Sequence, residues 1–316
     1  MSDKNKIYKI KIPVYSSEII DGKKGFFEGH TYSDMVNYLD KKWLAYNGVK
    51  PKLSRKKRNK IQEIKIQDIE KHDVSLGEIP SRLFKISAYN TNLIDGYVET
   101  KTKIKLTKND KLGSDTHFML LYPVILGLNS NEYQYQWKIL LYEDPTKDNK
   151  ELVSICKIVL EKVFGIKVKN IKLDKLLEQL RNKKILPELS LHFTSHTFDD
   201  NEVDSYLRNY VVKSSKTEIK KENFKDVPID LIEETINDTS YEEHYQKRIL
   251  KFPFGKKEVK LTNELDEAKN KIKSTVEEIF NSEVNITEEE VDKLFELDFI
   301  IEKLTPVLQD YMSEMD

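Results

Sequence analysis

Residues 117–126 read HFMLLYPVIL and residues 133–142 read YQYQWKILLY, with the turn-forming segment GLNSN between them at 127–131. Both runs are rich in aromatic and branched apolar residues, and neither approaches the ~20 residues a membrane helix needs. Two such runs joined by a short turn predict neighbouring, buried or half-buried strands of one sheet. In the second run Tyr133, Tyr135 and Trp137 alternate, which predicts one packed strand face more economically than a set of stacking platforms.

The pattern extends in both directions. Downstream, Asp148 precedes Glu151 by a capping-box spacing, and Leu152, Ile155, Cys156, Val159, Leu160 and Val163 follow at helical intervals until Gly165. A strand over 166–173, a short helix over 174–182 and a strand over 189–198 are expected next. Upstream, Tyr8, Ile10 and Ile12 share a strand face that should stop at Pro13. Met35, Val36, Leu39 and Trp43 predict a helix over 33–46, capped by Thr31 or Ser33. Alternation at Ile61, Ile64, Ile66 and Ile69 and again over 83–89 predicts strands, with 97–106 as the second arm of a hairpin beyond a turn at 90–96. The order predicts an α+β fold over 1–212, helices packed on a mainly antiparallel sheet.

Residues 213–258 are polar and lysine-rich and read as a linker or extension. The remainder, 259–316, reads as a C-terminal helical hairpin. Asn263 would cap a helix with the stripe Leu265, Ala268, Ile272, Val276 and Ile279, and Thr287 with Glu290 forms a second capping box before Val291, Leu294, Phe295 and Ile301. Pro306 suggests a third short helix. The hairpin would cover either the sheet or a second copy, and a homo-oligomer through these helices is expected.

Of 316 residues, 38% are apolar and 34% charged, but 53 basic and 54 acidic side chains nearly cancel, which disfavours disorder. The single cysteine, Cys156, excludes an intramolecular disulfide framework and a multi-cysteine zinc module. Residues 1–12 alternate lysine with isoleucine and lack a secretory pattern. A soluble cytoplasmic protein without membrane partner or cofactor is expected.

The near-neutral total hides a segregation. Residues 41–60 carry nine basic side chains (Lys41, Lys42, Lys50, Lys52, Arg55, Lys56, Lys57, Arg58, Lys60) and no acid, while 283–316 carry eleven acids against Lys293 and Lys303. The basic segment could hold phosphates, because counterion release needs only cations within reach. Lys50, Lys52, Arg55, Lys56, Lys57, Arg58 and Lys60 are its candidate contacts to DNA or RNA, and Lys101, Lys103 and Lys105 would extend the stripe. The bland alternatives are a cationic strand that guards a sheet edge and a basic loop docked on the acidic tail.

Catalytic templates are incomplete. Glu-x-Lys, the signature of metal-dependent nucleases, occurs at Glu63, Glu99, Glu218, Glu258 and Glu267, a number expected by chance in so Glu- and Lys-rich a chain. Asp95 lies upstream of Glu99. The segment His192-Phe193-Thr194 resembles the His-x-Thr strand motif of the two-histidine phosphoesterases, a resemblance that implies an acid/base imidazole beside a phosphate-binding hydroxyl. His196 would share that strand face. The second motif of that family has only His117-Phe118-Met119 and His30-Thr31 as candidates. Cys156 lies on its helix's apolar stripe and reads as a small buried hydrophobe.

The layout over 118–126, 136–142, 150–164 and 188–195 resembles uncharacterised proteins found beside bacterial phage-defence genes. That resemblance implies an antiviral role as nucleic-acid sensor, nuclease or partner subunit. The expectation is a non-enzymatic subunit that binds nucleic acid or a partner protein through 41–60. A phosphodiesterase or nuclease acting around His192 is the alternative.

Overall fold

A computed structural model describes residues 7–21, 30–56, 62–92, 96–98, 104–106, 111–128, 132–142, 152–169, 189–196, 217–224, 234, 247–254, 257–266 and 271–313. The chain divides into two compact units, 1–169 with 280–316, and 170–279. The C-terminal segment from Phe280 belongs to the first unit.

In the first unit, strands β1 (Ile7–Ser16), β2 (Ile20–Asp21), β3 (Ser54–Lys56), β4 (Gln62–Leu76), β5 (Ile79–Asn92), β8 (Lys111–Leu128) and β9 (Glu132–Tyr142) join the last residues of β14 (Lys271–Thr287). Their order is β14-β1-β9-β8-β5-β4-β3, with β2 also on β9. Every neighbour pair is antiparallel. The two runs at 117–126 and 133–142 are adjacent strands, Leu120 opposite Leu140 and Pro123 opposite Trp137. Strands β4 and β5 form a hairpin through Gly77, whose φ of 62° suits a residue without Cβ.

The prolines are placed by pairing. Strand β1 continues through Pro13, where a stop was expected. It pairs with β14 as far as Val14 and with β9 only from Val14 onward, so Pro13 has a neighbour strand on one side. Pro80 and Pro123 likewise lie where β5 and β8 pair on one side only, since their mutual pairing begins at Arg82 opposite Leu121. One unpaired side is where a residue without N–H is tolerated in a sheet.

Helices cover both faces. Helix α1 (Tyr32–Val49) packs on β5 and β8 and α2 (Leu152–Val159), continued by a π-helical turn to Phe164, packs on β8 and β9. Helix α3 (Leu297–Ser313) covers the opposite face. Side-chain alternation fixes the assignment. Leu83, Phe118, Leu120, Leu140 and Tyr142 share a cluster with Phe299, Ile300, Leu304, Val307, Leu308 and Tyr311 of α3. Their neighbour Phe84 instead meets Phe164, ring centroids 4.6 Å apart, and Arg82 on that same face binds Asp40 of α1. Each fully buried apolar side chain of α3 contributes roughly 1.5–3 kcal/mol.

Several expectations are corrected here. Within the expected hairpin arm over 97–106, the described residues form β6 (Gly96–Val98) and β7 (Ile104–Leu106), which pair with one another, while β5 pairs with β4 and β8. Of the strand expected over 166–173, Val168 makes an isolated bridge to Ser17, while residues 170–173 and the helix expected over 174–182 lie outside the described residues. The lysine-rich 213–258 segment contains β11 (Thr217–Phe224) and β12 (Lys247–Phe254).

The first limb of the helical hairpin is absent: β13 (Lys257–Asp266) and β14 occupy its sequence. Val259, Leu261 and Asn263 are buried at alternate positions, and Asn263 pairs with Arg248 instead of capping a helix. The apolar spacing at 272–286 also satisfies a strand, and Ile272, Thr275, Val276, Ile279, Val284 and Ile286 are β-branched. Among the described residues a single C-terminal α-helix remains, and its apolar stripe packs on its own sheet. The Thr287–Glu290 capping box is present but starts a short 3-10 helix, Glu288–Lys293. Pro306 lies inside α3 and starts no new helix.

The second unit orders its strands β11-β10-β12-β13, with β10 (Leu189–His196) between β11 and β12, all antiparallel. Leu250 and Leu261, opposite one another, are fully buried.

Candidate nucleic-acid interface

The basic segment begins on α1. Thr31 caps that helix: its hydroxyl accepts from the Asp34 N–H at 3.2 Å, and the Asp34 carboxylate accepts from the Thr31 N–H at 3.0 Å. Met35, Val36, Leu39 and Tyr46 face the sheet. The Trp43 indole donates to the Ile69 carbonyl on β4 at 2.8 Å. The Tyr38 hydroxyl donates to the Phe164 carbonyl at 2.7 Å. The helix ends at Lys50, in the left-handed region at φ 42°, whose N–H donates to the Tyr46 carbonyl at 2.6 Å.

These attachments fix what α1 turns outward. Lys41, Leu44, Ala45, Gly48 and Val49 occupy one outer arc, all exposed, with exposed Lys42 at its rim. Lys42 Nζ stands 5.5 Å from the Tyr38 ring centroid. The chain then turns back through Leu53, whose carbonyl accepts from Ile66 N–H at 3.0 Å, and forms β3 on β4 with Arg55 opposite Ile64. Strand β3 is the last in its order. Arg55 and Lys56 therefore sit on an edge strand.

Lys57, Arg58 and Lys60 lie outside the described residues, as do Lys101 and Lys103. Of the remaining candidates, Lys52 is exposed and Lys50 pairs with Asp68 at 3.3 Å. Both partners of that pair are about half exposed, so its worth is small. Among the described residues, Lys41 and Lys52 make no ion pair.

Among the described residues, the acidic C-terminal segment makes no ion pair with this surface. It runs over the sheet face opposite α1, where Glu290 pairs with Lys303 at 2.9 Å, and Glu283 of β14 pairs with Lys9 at 2.9 Å. A second charged cluster near α1, which the sequence did not single out, is satisfied internally. Asp40 takes Arg82 through two hydrogen bonds, of 2.8 and 2.6 Å, and Lys71 at 3.0 Å, while Asp73 pairs with both cations. Burial alone would raise the Asp40 pKa, but hydrogen bonds and charges from Arg82 and Lys71 together outweigh it and hold the carboxyl below its usual range. Lys71 and Arg82 thus clamp α1 to β4 and β5, with no cation to spare.

The catalytic candidates lie on separate elements. His192 lies on β10 between Lys221 and Ile249 in register; its side chain and that of His196 are outside the description. His117 is buried on β8 in the first unit. His30 stacks on Tyr133, centroids 4.5 Å apart, and hydrogen-bonds the Tyr135 hydroxyl. Asp95, Glu99 and Glu267 lie outside the described residues, Glu63 sits opposite Lys56, and Glu258 pairs with Lys251 at 3.1 Å. Tyr135 and Trp137 are fully buried, as expected of one packed face, whereas Tyr133 at the strand end is 44% exposed. Cys156 is fully buried and its thiol is pushed far up by desolvation, so it is no nucleophile. Among the described residues, no three His, Cys, Asp or Glu side chains converge on a common point that could hold a metal ion. No helix among them is long and apolar enough to cross a membrane. Comparison with family models, with curated proteins and with solved structures finds no match to this chain.

Proposed function

We propose that the chain is a nucleic-acid-binding subunit whose contact surface is the outer arc of α1 continued into β3 and the basic residues beyond it. The observation that carries this reading is the exposure of Lys41, Lys42 and Lys52 on one side of the sheet, with the acidic C-terminal segment on the other. A surface whose exposed cations exceed its carboxylates attracts phosphates without demanding a particular fold. A place in a bacterial antiviral defence system belongs to the same proposal and rests on the layout resemblance.

The test is equilibrium binding of fluorescent DNA and RNA oligonucleotides to the full chain. Expected is an affinity that falls with salt, log K dropping by about 0.7–0.9 per phosphate contact for each tenfold rise. Replacing Arg55, Lys56, Lys57 and Arg58 by Glu should abolish binding. Absence of binding to either nucleic acid at ~50 mM salt, where phosphate attraction is strong, refutes the proposal.

A further inference from the structure

Two exposed surfaces of the first unit carry large apolar side chains among charges, and the charges are of opposite sign. On α1, Leu44 is 60% and Val49 is 78% exposed, beside Lys41, Lys42, Lys50 and Lys52. Between the 3-10 helix and α3, Phe295 is 49% exposed, with Asp292, Glu296 and Asp298 within three residues of it in sequence and Glu288 and Glu289 just before. All five acids are exposed, and among the described residues none of them makes an ion pair. Phe295 stays seated over the sheet, its ring centroid 6.5 Å from that of Phe118, so its outer face is held in place. Stable interfaces take this form, an apolar centre within a polar rim of complementary charge.

We propose that a second copy of this chain is the partner of the α1 surface: Leu44 and Val49 of one copy meet Phe295 of the next, framed by lysines on one side and carboxylates on the other. Because the two surfaces lie on opposite faces of the same sheet, the contact is heterologous, and repetition gives a ring or an open-ended filament and not a closed two-fold dimer. The contact uses the same lysines as the nucleic-acid surface but does not depend on that reading. Where both hold, polyanion and neighbouring copy compete for α1, and nucleic acid disperses the assembly.

The experiment is sedimentation velocity on the full chain, without nucleic acid, so its result is independent of the binding assay. The wild type should associate with rising concentration at ~50 mM salt and at least roughly tenfold more weakly at ~500 mM, where the Debye length is short. One variant carries Leu44→Glu and Val49→Glu; the other carries Phe295→Ser, Asp292→Lys and Glu296→Lys. Each alone should be monomeric, and an equimolar mixture should form a dimer and nothing larger, because each partner keeps one intact surface. If the α1 variant loses its fold by circular dichroism, Lys41→Glu with Lys52→Glu replaces it. A wild type that stays monomeric at low salt overturns the proposal. So does an assembly unmoved by either variant, or a mixture that fails to pair.

Discussion

Arg82 on β5 holds Asp40 on α1 in a bidentate grip, Nε to Oδ1 at 2.8 Å and Nη2 to Oδ2 at 2.6 Å, across 42 residues of chain. The Arg82 side chain is only 10% exposed and that of Asp40 21%, so removal of the carboxylate leaves a largely desolvated cation with only the exposed Asp73 carboxylate, 3.0 Å away, as its partner.

Asp40→Asn should lower stability by about 2–3 kcal/mol, below the 3–5 of a fully buried pair because both groups keep some water. The pH dependence has a definite sign. The folded pKa of Asp40 is depressed, so its contribution is complete above the unfolded value of about 3.9 and is lost as pH falls through the folded value. Chemical denaturation between about pH 6 and 3 should show a decline in the wild type that is smaller in Asp40→Asn. Equal slopes for the two proteins contradict the assignment.

Trp43 anchors the same helix to an edge. Strand β4 extends past the short β3, and the indole fills one open position by its bond to the Ile69 carbonyl, while a register shift between Ile66 and Asp68 bends the strand there. Trp43→Phe should cost about 1 kcal/mol through the lost bond. Amide exchange should rise around residue 69 before it rises in the β8–β9 pair, and uniform acceleration across the sheet is the contrary result.

Cys156 should resist alkylation in the native protein and react at the rate of global unfolding, because the thiolate is inaccessible and disfavoured by burial. The measurement is labelling kinetics against denaturant concentration. Rapid labelling in buffer alone would show that the α2 face opens locally.

Pro306 interrupts α3 without ending it. It has no N–H for the Glu302 carbonyl, and the preceding Thr305 hydroxyl donates to the Ile301 carbonyl at 2.7 Å. Pro306 is exposed, so Pro306→Ala changes the helix with little repacking. It should stabilise by about 1 kcal/mol, the restored bond and propensity exceeding the added freedom of the unfolded chain. Thermal denaturation with an unchanged or lower midpoint would count against this.

Much of the first unit was legible because its signals are local. The runs at 117–126 and 133–142 need only each other and five turn residues to become β8 and β9. Thr31 with Asp34 starts α1, and Gly165, at φ 67°, stops the helix that bears Cys156, both through contacts within a few residues. The basic segment 41–60 was equally visible as composition, and the exposure of its lysines follows from the apolar spacing of Met35, Val36, Leu39 and Trp43 that turns the other side of α1 inward.

What tertiary structure alone decided were the choices between two patterns that the same residues satisfy. Residues 272–286 can show an apolar stripe in a helix or alternate in a strand; they become β14 because β1 offers an open edge, with Ile10 opposite Val284 and Lys9 bound to Glu283 at 2.9 Å. That partner lies 274 residues away, beyond the reach of any local periodicity. The same long return carries the acidic segment to the sheet face opposite α1. The separation of the two charged surfaces is thus a product of strand pairing, whereas the charges themselves were written in the chain.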